Sequence, residues 1–194
     1  MNYSFWIKWS LAITVIALIH SFTLTISPTV WPDEVDIIDY GRVALQPNTE
    51  WSINWQEEDR PRLMLSYLGP ILQEWAFQFS GESLVGPRAI SLIGALAAAT
   101  IAVGWLRSRG TSAFKAGLLG LIFLLDPLFT QSYRGARVDG WAMALGLGAC
   151  WVLSRTSWRI QNGRTYHGMV LLAGALDLLA FFVWPSAVML FPLA

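Results

Sequence analysis

Long apolar blocks with almost no charge are the feature that most constrains how this chain can fold. Five such blocks occur within 194 residues, and charged residues make up only 13% of the chain, whereas soluble domains carry about 25%. This distribution is typical of a protein with several membrane spans rather than of one soluble core. We therefore predict an all-α, polytopic membrane helix bundle that forms a single transmembrane module over residues 1–194. We expect about five spans, at residues 5–26, 84–106, 113–131, 139–156 and 168–191.

The charges between the blocks predict which side of the membrane each loop faces. Segment 28–88 carries ten acids and four bases, a net charge of −6, whereas the links after the second and fourth blocks each carry +3. Because Lys and Arg favour cytoplasmic loops, we expect a cytoplasmic N-terminus in the cytoplasmic (inner) membrane. The long first loop, residues 28–83, and the loop at 126–139 are then extracytoplasmic.

The first loop is expected to carry structure of its own. Residues 35–45 mix apolar and charged positions, and residues 63–79 repeat apolar side chains at three- and four-residue spacing. Both patterns favour helices that lie in the membrane interface plane. Residues 46–61 are polar and rich in turn formers, so we expect an exposed loop there. In contrast, the many small residues of 140–153 predict a helix packed inside the bundle.

A pair of acids follows the first apolar block. Asp33 and Glu34 come directly after Trp31-Pro32, and carboxylates are costly inside hydrocarbon, so they should lie at or just beyond the bilayer surface. Two adjacent acids there can bind a divalent cation or accept a proton from an attacking hydroxyl. The alternative is structural, because acids also favour the first turn of a helix that begins at a proline.

Two arginines and an acid precede the fourth block on the same predicted side. Arg134 and Arg137 could bind a phosphate or pyrophosphate through paired N–H groups, and Asp139 could share a cation with the acid pair or orient an arginine. The alternative is a surface salt bridge between Arg137 and Asp139. Arg88 is a third candidate for binding the phosphate, because it could add positive potential near an anionic headgroup, and the alternative is a loop charge or interface anchor.

The other polar residues of the apolar blocks suggest less. His20 is expected to contact a neighbouring helix, and Asp177 to be buried and hydrogen-bonded, although a carboxylate within a span is also a functional candidate. The single cysteine, Cys150, excludes an intramolecular disulfide and a cysteine-rich metal site. A formal net charge of zero gives no indication of nucleic acid as a partner.

Three segments occur in an order that suggests a family. The acid pair after the first span is followed by Gly41, then by LSYLGPILQEWAFQFSGESLVGPRAISLIGALAAA at residues 65–99, and then by DPLFTQSYRGARVDGWAMALG at residues 126–146. Together they resemble the N-terminal part of GT-C-fold membrane glycosyltransferases, most closely the protein mannosyltransferase and lipid A aminoarabinose transferase type. The resemblance extends over nearly the whole chain, although each motif is short.

The resemblance implies transfer of a sugar from a polyprenyl-phosphate donor to an extracytoplasmic acceptor. It implies that Asp33 is the catalytic base, and that Glu34 and Asp139 support the site or, with Asp33, bind a divalent cation such as Mg or Mn. Arg134 and Arg137 would bind the lipid phosphate. Such enzymes have many more spans, so we expect further spans in a longer chain or from partner subunits. The alternative function is a truncated, non-catalytic glycosyltransferase-like subunit of a larger membrane complex.

Overall fold

The computed structural model describes residues 3–26, 29–57, 67–155, 163–185 and 187, and the regular structure in these segments is helical. The predicted all-α class is therefore confirmed. The helices, in chain order, are α1 (Tyr3–Ser21), α2 (Pro32–Leu45), α3 (Glu50–Glu57), α4 (Leu68–Phe79), α5 (Val85–Ser108), α6 (Ala113–Leu125), α7 (Pro127–Arg134), α8 (Asp139–Arg155) and α9 (Gly163–Val183).

Three of the described helices are long and apolar enough to cross a membrane. They are α1, α5 and the part of α9 from Tyr166 to Val183, and α6 with α7 would add a fourth span if the bent pair counts as one. The helix in the place of the predicted fourth span, α8, has 17 residues, near the lower limit of about 17–25 for a span. The chain thus has the helices of a membrane protein, while the number of five spans stays a prediction.

The predicted third span is not one straight helix. It divides into α6 and α7, whose axes differ by 58°. The Asp126 carboxylate accepts hydrogen bonds from the backbone N–H groups of Leu128 and Phe129, both at 3.0 Å, and Pro127 occupies the first turn of α7. An Asp cap followed by proline begins a new helix, so the chain turns at Asp126 and continues in another direction.

Helix α5 is the centre of the bundle. Its Ala95, Ala98 and Ala99 have no exposed surface, and α6, α7 and α8 all pack against it. A Cβ added to Gly140 of α8 would lie 2.7 Å from the backbone nitrogen of Ala95, so the two backbones are in direct contact. Small residues allow such an approach between membrane helices. The predicted packing of this segment inside the bundle is confirmed.

The first loop folds back onto the bundle. Gln73 of α4 is buried and donates hydrogen bonds from Nε2 to Ser91 Oγ at 2.7 Å and to the Ala136 carbonyl at 2.9 Å. The predicted helix at 63–79 begins at Leu68, with residues 58–66 outside the described segments. Residues 46–51 are exposed, as predicted. The predicted loop conformation is wrong for residues 50–57, which form α3, and Trp55 of this helix is buried and packs edge-on against Tyr40.

Candidate functional site

One arginine joins the two charged segments that the sequence singled out. The guanidinium of Arg137 donates from Nη1 to Asp33 Oδ2 at 2.6 Å and from Nε to Asp139 Oδ2 at 2.8 Å. Asp33 and Arg137 are 104 positions apart in the chain. The structure therefore brings the first-loop acid and the residues before α8 together at one place.

Local structure positions Asp33 and Arg137. Asp33 lies in the first turn of α2, which begins at Pro32, where a carboxylate is favoured by the helix dipole. Arg137 lies in the tight turn between α7 and α8. In that turn Ala136 adopts a φ of +50°, a left-handed conformation that costs free energy for a residue with a Cβ. The hydrogen bond from Gln73 to the Ala136 carbonyl helps to hold this conformation.

A cavity of about 330 Å³ opens beside this triad of Asp33, Arg137 and Asp139. Its walls combine polar and apolar side chains, among them Trp31, Leu128, Gln131, Ser132, Arg137 and Asp139. The Ser132 hydroxyl donates to Asp139 at 2.7 Å. A half-apolar cavity with a few convergent polar groups is the usual form of a small-ligand site.

The triad is partly open to solvent. The exposed fractions of the side chains are 49% for Asp33, 32% for Arg137 and 21% for Asp139. Two carboxylates oppose one guanidinium, and among the described residues no hydrogen bond reaches Oδ1 of Asp33 or Nη2 of Arg137. The exposed pair can therefore exchange partners with an incoming ligand, because exposed ion pairs contribute little net stability.

The second acid of the pair lies in a different environment. Glu34 has no exposed surface and binds the guanidinium of Arg88 through both oxygens, at 2.7 and 2.9 Å. Arg88 is also buried and donates from Nη1 to the Leu24 carbonyl at 2.6 Å. Glu34 accepts the Trp31 N–H at 3.0 Å as well. The predicted catalytic and metal-binding roles of Glu34 and the predicted phosphate-binding role of Arg88 stay predictions. In this arrangement the two side chains bind each other and do not line the cavity.

Arg134 also points away from the cavity. Its Nη1 lies 2.7 Å from His20 Nδ1 and 2.8 Å from Thr23 Oγ1. Because an arginine can only donate, Nδ1 of His20 is the acceptor, and Nε2 then carries the proton towards the Tyr133 hydroxyl at 3.1 Å. The predicted helix contact of His20 is confirmed, and the predicted phosphate-binding role of Arg134 stays a prediction.

In this arrangement the three carboxylates of the predicted cation site, Asp33, Glu34 and Asp139, are each bound to an arginine. Among the described residues there is no group of three or more His, Cys, Asp or Glu side chains that could hold a metal ion. The charge between Asp33 and Asp139 is the guanidinium of Arg137. As placed, these carboxylates do not fit a shared Mg or Mn ion, whose binding stays a prediction.

Sequence reasoning missed part of the cavity wall. Gln131 and Ser132 are neighbours in α7. They could have been predicted from the sequence, because they lie one helical turn before Arg134 and Gly135. Asp177 lies within α9, and its Oδ1 is buried without a hydrogen-bond partner in the described structure, so its predicted hydrogen bonding is not borne out there.

Compared with known proteins, the chain matches no protein-family model, no curated protein and no solved structure.

Proposed function

We propose that this chain is a membrane glycosyltransferase of the GT-C type, or the N-terminal module of one, which transfers a sugar from a polyprenyl phosphate to an extracytoplasmic acceptor. The observation that carries the proposal is the contact of Asp33 with Arg137, a residue of the cavity wall. An acid and a guanidinium are the two groups that such a transfer needs, one for the acceptor proton and one for the phosphate.

The proposed reaction depends on the solvent exposure of Asp33 and Arg137. A phosphate oxygen of the donor replaces Asp33 at Arg137, which releases the Asp33 carboxylate. The acceptor oxygen attacks the anomeric carbon as its proton passes to Asp33, and the carbon–oxygen bond to the phosphate breaks with its electron pair on the phosphate. Arg137 stabilises that developing charge, while Asp139 orients the guanidinium. No step of this reaction uses a metal ion.

The buried pairs have positioning roles in this proposal. Glu34 and Arg88 hold the first turn of α2 against α5, and so place Asp33, which precedes Glu34. Arg134 joins the end of α1 to α7 through His20 and Thr23. Misplacing a catalytic group by a short distance lowers the rate strongly, so substitutions of these residues should affect transfer indirectly.

The test is the isosteric variant Asp33→Asn, assayed for sugar transfer from a polyprenyl-phosphate donor in membranes containing the whole assembly. We expect transfer to fall by about 10²–10⁴-fold, the usual contribution of a general base, with membrane insertion unchanged. The matched control is Asp36→Asn, because Asp36 lies on the same helix, and in the described structure the α2 acid that binds Arg137 is Asp33 and not Asp36. Normal transfer by D33N, or an equal loss in D36N, contradicts the proposal.

A second candidate is a non-catalytic, glycosyltransferase-like subunit of a larger membrane complex. The observation that favours it is the apolar surface of α9, whose span is only 17% buried and which exposes Leu171, Leu172 and Phe182. Further membrane subunits could pack there. The two functions differ in the same assay: if this chain is a subunit without catalysis, the assembly transfers sugar equally with wild type and with D33N, and the chain co-purifies with the same proteins in both forms.

A further inference from the structure

A second cavity lies between α1 and α6 and belongs to a different part of the bundle. It is an apolar groove with a volume of about 450 Å³, larger than the cavity beside the triad. Apolar side chains of both helices line it, together with Lys8 of α1. The principal lining residues are Phe5, Trp9 and Ala12 of α1, and Phe114, Gly117 and Leu118 of α6.

Small residues keep the groove open. A Cβ added to Gly117 would meet only Phe5, at 3.5 Å, so neither helix fills the space between them. The rear wall is held in place, because Trp9 is buried and its Nε1 donates to Thr100 Oγ1 of α5 at 3.2 Å. The groove is therefore preformed in the folded bundle.

The groove and the triad lie at opposite ends of α1. Lys8 and His20 are twelve positions apart, which is about 18 Å along a helix, and His20 contacts Arg134 beside the triad. By the charge pattern of the loops, the groove end faces the cytoplasm. A ligand in the groove is thus distinct from the proposed sugar donor on the other side.

The mouth of the groove is cationic. Segments 1–32 and 83–125, which include all of α1, α5 and α6, contain no Asp or Glu. At this end they place Lys8, Arg107 and Lys115, and the Arg107 guanidinium lies 5.5 Å from the ring centroid of Phe5 in the groove wall. An apolar groove beneath a cluster of basic side chains complements an acyl chain beneath a phosphate.

We infer that this groove binds an anionic glycerophospholipid of the cytoplasmic leaflet, with one acyl chain between α1 and α6 and the headgroup beside Lys8. Basic residues at the membrane surface attract anionic lipids, and the preformed groove adds apolar contacts that a flat helix surface lacks. The basic side chains at the mouth favour binding of an anionic lipid over a zwitterionic lipid, whereas the apolar wall would accept either one.

The test is native mass spectrometry of the full chain in mixed micelles with equal amounts of dioleoyl phosphatidylglycerol and dioleoyl phosphatidylcholine. We expect wild type to retain phosphatidylglycerol in preference. Lys8→Gln should lower that preference by about five-fold, and Lys8→Arg should keep it. Gly117→Leu fills the groove and should remove both bound lipids. Its matched control is Gly174→Leu on α9, where an added Cβ meets nothing within 4 Å.

Three results would overturn the inference. They are equal retention of the two lipids by wild type, an unchanged preference for phosphatidylglycerol in K8Q, and undiminished binding in G117L relative to G174L. If G117L does not fold, the groove can be blocked after folding by alkylation of an Ala12→Cys variant, since Cys150 is buried. Lipid binding that survives this alkylation overturns the inference as well.

Discussion

The buried pair of Glu34 and Arg88 permits a quantitative prediction about stability. Replacing Arg88 with Met leaves the Glu34 carboxylate at 0% exposure without its guanidinium and leaves the Leu24 carbonyl without its donor. Removing one partner of a buried ion pair costs about 3–5 kcal/mol. Glu34→Gln should cost a similar amount, because it leaves the positive charge of Arg88 buried.

A double variant separates the effect of the unpaired charge from the effect of the lost hydrogen bonds around the pair. In Glu34→Leu with Arg88→Met, no charge is left unpaired, but the Trp31 N–H and the Leu24 carbonyl each lose a hydrogen bond. We expect a cost of about 1–3 kcal/mol for each buried group left unsatisfied, and the Leu24 carbonyl already lacks its donor in Arg88→Met, where the Glu34 charge is unpaired as well. The double variant should therefore be more stable than Arg88→Met alone, which is the signature of coupled residues.

The assay is thermal unfolding in detergent, followed by reaction of Cys150 with a thiol-reactive dye. Cys150 is the single cysteine of the sequence and is buried in α8, so it reacts when the bundle opens. For a chain of this size 1 kcal/mol shifts the midpoint by about 2–4 °C, and R88M should unfold about 6–20 °C below wild type.

The adjacent acid provides the control. Asp33→Asn makes the same chemical change as Glu34→Gln one position earlier, but Asp33 is 49% exposed and its partner Arg137 32%. Exposed pairs contribute about 0–1 kcal/mol, so D33N should unfold close to wild type. A shift below about 2 °C for R88M, or equal shifts for D33N and E34Q, would refute the reasoning.

Two further predictions concern packing and topology. Gly140→Ala should destabilise the bundle by about 1–3 kcal/mol, because the new Cβ meets the α5 backbone. Gly148→Ala is the control, since its new Cβ meets only Leu176, at 3.7 Å. Equal unfolding midpoints for the two variants would argue against this packing. A cysteine at Asn48, in an exposed turn, should react with a membrane-impermeant maleimide from the extracytoplasmic side, and labelling from the cytoplasmic side alone would reverse the predicted topology.

The apolar blocks could be located from the sequence because hydrophobic length is a local property. The predicted span at 84–106 corresponds to α5, Val85–Ser108, and the small-residue segment was correctly expected in the interior. The break at Asp126 was missed, although its Asp-Pro signal is local, because the apolar block that ends at Leu125 is short for a span and was extended through its flank. The helix at 50–57 was missed because its burial depends on Tyr40, a distant residue that composition does not reveal.

The candidate site could be predicted only in part. The acid pair and the basic segment were each visible, and their placement on one side followed from loop charges. The sequence does not show that the two acids bind different partners, or that the two arginines do. Neighbouring residues on a helix point about 100° apart, so Glu34 faces Arg88 while Asp33 faces Arg137. Arg134 and Arg137 likewise separate, because the helix ends between them at Gly135.

The sequence by itself determined that the chain forms apolar helices with acidic and basic groups at their ends, because transfer from water to hydrocarbon depends on each residue's own chemistry. Only the tertiary structure decided which charge meets which. It buried Glu34 with Arg88, left Asp33 half-exposed in contact with Arg137, and turned Arg134 towards His20. Partner choice depends on how helices far apart in the chain pack, and small residues such as Gly140 set that packing at backbone distance.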